Sequence, residues 1–261
     1  MSRDEAHVLD WRDEAAYAPL LQADRSVLAW EWLRRDPAYI AAAASALERR
    51  PAGGPADRRC GPGHWGLHVF EPPCRPAPNA RPIWRAEVHP FVLGVRAERA
   101  CAEGDTLDLA RLAVESEVVT SPGNREHLLI SDGLRCIRID VVSGSVTGGP
   151  VRLHYLLAGF ASSERPLLTL RRLIALRRTG RMASALRQAE AKARRSILML
   201  RAHDAMARGA VQREIAAVLL GTEAAEPRWR VGAPTLRSRV QRLVRNARAM
   251  AAGGYLSLLR D

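Results

Sequence analysis

Residues 235–250 read TLRSRVQRLVRNARAM, and this stretch decides how the C-terminal part of the chain is built. Leu236, Val240, Leu243, Val244, Ala247 and Met250 recur in steps of three and four, the spacing that draws one apolar stripe along an α-helix. The other side of the same helix carries Thr235, Arg237, Ser238, Gln241, Arg242, Arg245 and Arg248. No acid lies between Glu226 and Asp261, so the Glu-to-Lys or Glu-to-Arg pairing of an ordinary solvated helix face is missing. A buried stripe backed by a one-signed face suits a DNA major groove, which asks for charge toward phosphates and donors toward base edges. In helix-turn-helix docking the N-terminal residues of such a helix reach bases, so Arg237, Ser238 and Gln241 would read sequence while Arg242, Arg245 and Arg248 anchor the backbone. Contact with phosphates or RNA alone, and a passive solvated face, are the competing readings.

Working upstream, Ile197 to Arg208 forms a first helix ending at Gly209, a residue that accepts the left-handed conformation helix ends need. Arg213-Glu214-Ile215-Ala216 begins a second, closed by Gly221, with Arg213 a further DNA candidate. Helices this short cannot stand alone in water and must pack on a neighbour. Thr222 to Pro234 is long for a helix-turn-helix turn and reads as a loop pinned by Trp229. Before these, Pro166 opens a helix that runs through Leu170 and Leu173 to Gly180, and a long one starts near Ala183.

The chain has 261 residues and a net charge of +12, but that charge is not evenly spread. From Arg165 onward 21 Lys and Arg stand against 6 Asp and Glu, leaving 19 and 22 for everything before. A cationic C-terminal region on a nearly neutral body points to a polyanion partner, a nucleic acid ahead of an anionic membrane surface or an arginine-rich composition alone, and the face of 235–250 makes double-stranded DNA the expected partner. No stretch is long and apolar enough for a membrane span, and MSRDEAHVLDW lacks the apolar core of a signal peptide. A cytoplasmic, nucleoid-associated protein is expected, with its four cysteines reduced and no cofactor.

In the N-terminal part, Asp36-Pro37 reads as a stop and restart, an aspartate N-cap with proline in the first helical position, giving helices near 26–35 and 37–49. Trp30 and Trp32, two apart, cannot share a helix side; one belongs in a core, and the other at an interface or against the linker. Arg34 and Arg35 read as a solvated helix end, with a DNA contact the lesser reading. Residues 51–81 are a Pro-, Gly- and Arg-rich linker around one short strand. In 82–160, Ile137, Ile139 and Val141 alternate with Arg138 and Asp140, and Val151, Leu153, Tyr155 and Leu157 with Arg152 and His154, the period of half-buried strands. With SGSVTGGP between them these predict a hairpin, and Glu126 to Ser131 adds a strand. The expected class is α+β: a helical unit over 1–50, the linker, a central antiparallel β region and a helical DNA-binding domain over 161–261.

Three chemical readings fall away. Cys60, His64, His68 and Cys74 follow no familiar zinc spacing and lack a tight CxxC knuckle. SGSVTGGP has no Gly-Lys-Ser/Thr ending to hold a phosphate. Ser131, Asp132 and His127 come without a nucleophile elbow. The chain is therefore not expected to be an enzyme.

GAVQREIAAVLLG (209–221), Trp229, LRSRVQRLVRNARAM (236–250) and GGYLSLL (253–259) together resemble the DNA-binding domain of RovC-like transcriptional activators, a domain also found in FseA-type activators of integrative-element excision. YAPLLQADRSVLAWEWLRRDPAYI (17–40) is similar to the transcriptional-regulator-like domain that often precedes it, and HLLISDGLRCIRIDVV and GPVRLHYLLAG extend the resemblance through the middle. The resemblance implies a bacterial activator that binds DNA as a homo-oligomer, a hexamer in RovC itself, at mobile-element or secretion genes, with RNA polymerase a possible partner. Where that family places a serine to cap the second helix this chain has Val211, a poor N-cap that loses about 1 kcal/mol unless Gln212 compensates. Two other readings stay open: a replication or recombination accessory protein of a mobile element, and a protein-interaction module with a basic tail.

Overall fold

The computed structural model describes residues 9–48, 61–100, 104–183, 190–221 and 234–260. Helices α1 (Arg25–Leu33) and α2 (Pro37–Glu48) are separated at Asp36, whose carboxylate accepts the Ala38 N–H at 2.9 Å, satisfying one of the donors a helix start leaves open. Strands β1 (Val92–Arg99), β2 (Glu115–Ser121), β3 (Arg125–Ser131), β4 (Cys136–Ser143) and β5 (Val151–Leu156) follow. The chain ends in α3 (Phe160–Thr179), α4 (Glu190–Ala207), α5 (Gln212–Leu220), α6 (Pro234–Ala251) and α7 (Ser257–Arg260). The fold is α+β.

The strands form one sheet in the order β2-β3-β4-β1-β5, antiparallel except where β1 runs alongside β4. The expected β4–β5 hairpin is not made, because β1 lies between its two strands. SGSVTGGP is instead a crossing that presses on β1: at Gly144, with φ +79°, an added Cβ would fall 1.8 Å from the Ala97 carbonyl oxygen, so only glycine fits. The Glu126 carboxylate holds the crossing by accepting the Ser145 hydroxyl at 2.6 Å and the Val146 N–H at 2.8 Å. Alternation along β4 then sorts the faces. Ile137, Ile139 and Val141 pack with Leu93, Val95 and Leu128 against Leu173 and Leu176 of α3, while Cys136, Arg138 and Asp140 point to the other face. Helix α3 starts at Phe160 rather than Pro166, which sits within it. Gly180, at φ +67°, closes it with its N–H on the Leu176 carbonyl at 2.8 Å.

A second core draws on both chain ends. Trp11, Tyr17, Leu28, Trp30, Trp32 and Tyr39 from the N-terminal part pack in one cluster with Ile197, Leu200, Ile215, Val240, Val244 and Leu259. Both tryptophans are buried because α1 is covered on two sides: Trp30 donates to the Arg75 carbonyl at 3.0 Å, and Trp32 lies against His203 of α4 with ring centroids 5.5 Å apart. Arg34 and Arg35 are neither solvated nor available to DNA. Arg34 meets Glu31 at 2.8 Å, and Arg35 joins Glu31 at 2.6 Å to Asp204 of α4 at 2.7 Å; packing of α4 over the end of α1 turns the pair inward. Between the two cores, Arg172 of α3 meets Asp24 at 2.7 Å and donates to the Cys136 carbonyl at 2.8 Å. Among the described residues no helix is long and apolar enough to cross a membrane.

Candidate nucleic-acid interface

Helices α4, α5 and α6 pack as a three-helix unit. Residues 208–211 form the tight turn from α4 to α5, with Gly209 at φ +77° and the Ala210 N–H on the Ala205 carbonyl at 3.0 Å. Val211 offers no side-chain cap, and the compensation does not come from Gln212. Glu214 supplies it, its carboxylate accepting the Val211 N–H at 3.0 Å, which is the reciprocal half of a capping box. The polypeptide between Gly221 and Pro234, including the loop expected around Trp229, lies outside the described residues.

On α6 the side chains of Val240, Leu243, Val244 and Ala247 are buried, with Leu236 and Met250 packed at the margins. Burial of each larger aliphatic side chain is worth about 1.5–3 kcal/mol, which fixes the rotation of the helix. Thr235, Arg237, Ser238, Gln241, Arg242, Arg245 and Arg248 are consequently all exposed, as is Arg213 in the first turn of α5. Among the described residues Arg242, Arg245 and Arg248 make no ion pair and no side-chain hydrogen bond, whereas Arg213 and Arg237 have partners. The acids of the unit whose side chains are described are engaged elsewhere. Glu214 caps α5, and the buried Asp204 accepts from Arg35 at 2.7 Å and from the Tyr17 hydroxyl at 2.7 Å. Burial, followed by the Asp204 charge, raises the Tyr17 pKa; Arg35 is held above its ordinary value because Asp204 and Glu31 outweigh its burial.

The far end of α6 is fastened by the closing Gly-Gly-Tyr. Gly253 has φ +100°, and a Cβ on Gly254 would come 2.6 Å from the Ala249 carbonyl oxygen. This reversal lets Tyr255, Leu258 and Leu259 sink into the core with the residues of α1. The N-terminal unit therefore braces the helix that presents the arginines.

The structure adds Arg239, which is exposed on α6 and free of ion pairs among the described residues. On a helical projection it lies at the flank of the apolar stripe, where sorting residues into two opposed faces passes over it. On α4, Lys192 and Arg195 are also exposed.

Cys60 is outside the described residues; His64 and Cys74 are exposed, and His68 is half-buried. His68 meets a different pair, His127 and Asp140. The two imidazoles stack with centroids 3.5 Å apart and planes 23° from parallel, whereas a shared ion must lie in both ring planes, and Arg138 already holds Asp140 at 2.8 Å. Burial, then the neighbouring His127, lowers the His68 pKa to about 4, so an uncharged ring rests on a His127–Asp140 pair linked at 2.7 Å. His127 also contacts the Ser121 hydroxyl at 3.1 Å, while the Ser131 hydroxyl donates to the Arg135 carbonyl at 3.0 Å. Ser131 and His127 are not brought together.

Comparison with known proteins bears on the same two regions. Residues 160–260 match the family model of the RovC DNA-binding domain, described as a T6SS transcription-factor DNA-binding domain. Residues 10–69 match the proteobacterial transcriptional regulator-like domain. None of the curated proteins matches the chain significantly. The two matches give an N-terminal regulator-like unit followed by a C-terminal DNA-binding domain.

Proposed function

Taking the chain as a transcription regulator that carries a DNA-binding domain, we propose that it is a sequence-specific activator that lays α6 in the major groove. The observation that carries this reading is the exposed, acid-free face of α6, with Arg242, Arg245 and Arg248 unpaired among the described residues while every larger apolar side chain of the helix faces inward. Arg237, Ser238 and Gln241 read base edges from the N-terminal half of the helix, and Thr235 and Arg213 approach the backbone at its start. Arg242, Arg245 and Arg248 hold phosphates, an electrostatic and salt-sensitive contribution. Because one helix reads too few base pairs to find its site among genomic competitors, the chain acts as a homo-oligomer, a hexamer by the RovC resemblance. Activation follows from operator binding and recruitment of RNA polymerase, at mobile-element or secretion genes by the same resemblance.

The test begins by selecting bound duplexes from a random pool. Arg237→Ala or Gln241→Ala is expected to relax preference at one position of the selected site at a cost of about 1–3 kcal/mol. Equal affinity of the wild type for selected and scrambled duplexes would overturn the reading.

A further inference from the structure

Strand β5 closes one side of the sheet, and among the described residues its outer edge is taken only at its start. The Val151 N–H and C=O bond Leu107 at 2.9 and 2.8 Å. The alternation of an antiparallel ladder puts the N–H and C=O of Leu153 and Tyr155 on that same edge, and among the described residues no backbone group is bonded to them there. Such an edge is a template for another strand.

Beside it runs a groove of about 380 Å³ between β5 and α3, walled by Leu107, Leu153, Tyr155 and Ile174 and including Arg177 and Arg178. Tyr155 and Ile174 remain 42% and 51% exposed. Arg177 donates to the carbonyls of Gly104 and Thr106 at 3.2 and 3.3 Å, and Arg178 has no ion pair among the described residues. Among the described residues Asp105 is the one acid on the groove wall, against Arg177 and Arg178, so the described lining keeps a positive balance.

We infer that this edge and groove bind an extended acidic–apolar peptide of another protein, added as a sixth strand. Its backbone pairs with Leu153 and Tyr155, its apolar side chains enter between Tyr155 and Ile174, and its carboxylates meet Arg177 and Arg178. Charge selects this occupant over a second copy of β5, which would bring its own two arginines to the same seam. The surface is separate from α6, and the inference does not rest on the DNA reading.

Short random peptides are displayed and panned on the full chain, with counter-selection on an Ile174→Asp/Arg178→Glu variant. Peptides alternating apolar and acidic residues are expected to enrich. Their affinity, measured by fluorescence anisotropy, is expected to fall about tenfold with Arg178→Glu and with Leu153→Pro, which removes an edge N–H that serves no ladder bond. Arg178→Glu is a surface change that leaves the fold intact, so unchanged affinity in that variant overturns the inference, as does enrichment of basic peptides or of none. Sedimentation showing that the chain dimerises, and that Ile174→Asp abolishes this, would assign the edge to a second copy and overturn it equally.

Discussion

The arginines of α6 and those of the interior have the same chemistry and opposite surroundings. Arg138 is 1% exposed, and its guanidinium donates to the carbonyls of Trp84, Leu128 and Ile139 and to Asp140. Arg172 is likewise 1% exposed and reaches Asp24, Cys136 and Ala183. Arg242, Arg245 and Arg248 stand in solvent without a carboxylate among the described residues. A buried guanidinium is tolerable only when its donors are matched, whereas an exposed one without an internal partner is free to meet a phosphate. The charge count alone treats the two sets alike; placement separates a structural group from a binding group.

The largest expected effect comes from removing an interior guanidinium. Arg172→Ala leaves Asp24 as an unpaired buried carboxylate and is expected to cost about 3–5 kcal/mol, read as a shift of the urea midpoint; a loss below 1 kcal/mol would mean the pair is incidental. Acid attacks the same region through His89, which lies with its Nδ1 3.3 Å from the Leu259 carbonyl. Burial first, then the nearby Arg138 and Arg172, lower its pKa from 6.5 to about 4. The folded protein thus binds fewer protons than the unfolded chain, and the contribution of His89 to stability is complete above pH 6.5 and falls as the pH drops toward 4. The loss amounts to about 3 kcal/mol. Urea titrations at several pH values check it: His89→Gln should be less sensitive over this window than the wild type, and equal slopes would remove the argument.

How far the sequence carries this distinction depends on how local the determinants are. The inward stripe of α6 is legible because Val240, Leu243, Val244 and Ala247 report a period that packing then obeys. The Asp36-Pro37 restart is legible because a cap is made within two residues. The burial of Arg34 and Arg35 was not legible: Glu31, which both meet, is one turn away and equally fits a solvated helix end, whereas Asp204, which takes Arg35 into the interior, is distant in the chain. The placement of β1 between β4 and β5 is another long-range choice: turn residues describe a connection but not the strand it steps over, and only the fit of Gly144 against Ala97 shows why this one steps. Glu214 lay within reach of sequence reasoning, because a glutamate three residues past a helix start is a capping signal even when the cap residue is valine.

The exposed set is sharpened by Arg245→Ala. It is expected to leave the urea midpoint unchanged while weakening selected and scrambled duplexes alike, and to lower the slope of log affinity against log salt by about one unit. A change confined to the selected duplex would move Arg245 from the anchoring group to the reading group.

The smallest effect concerns an acid of the same three-helix unit. Glu214 lies on α5, which packs against α6, and its carboxylate is drawn to the Val211 N–H. Glu214→Gln keeps an acceptor for that N–H but removes the charge that favours a helix N-terminus, so stability should fall by a few tenths of a kcal/mol, and Glu214→Ala, which loses the cap as well, by about 1 kcal/mol. At equal concentrations of folded protein, duplex affinity should be the same in both variants as in the wild type if the cap keeps this carboxylate away from the arginine face. A gain in affinity in both variants would show instead that Glu214 competes with phosphate for those arginines, and that the acid-free face is only partly so.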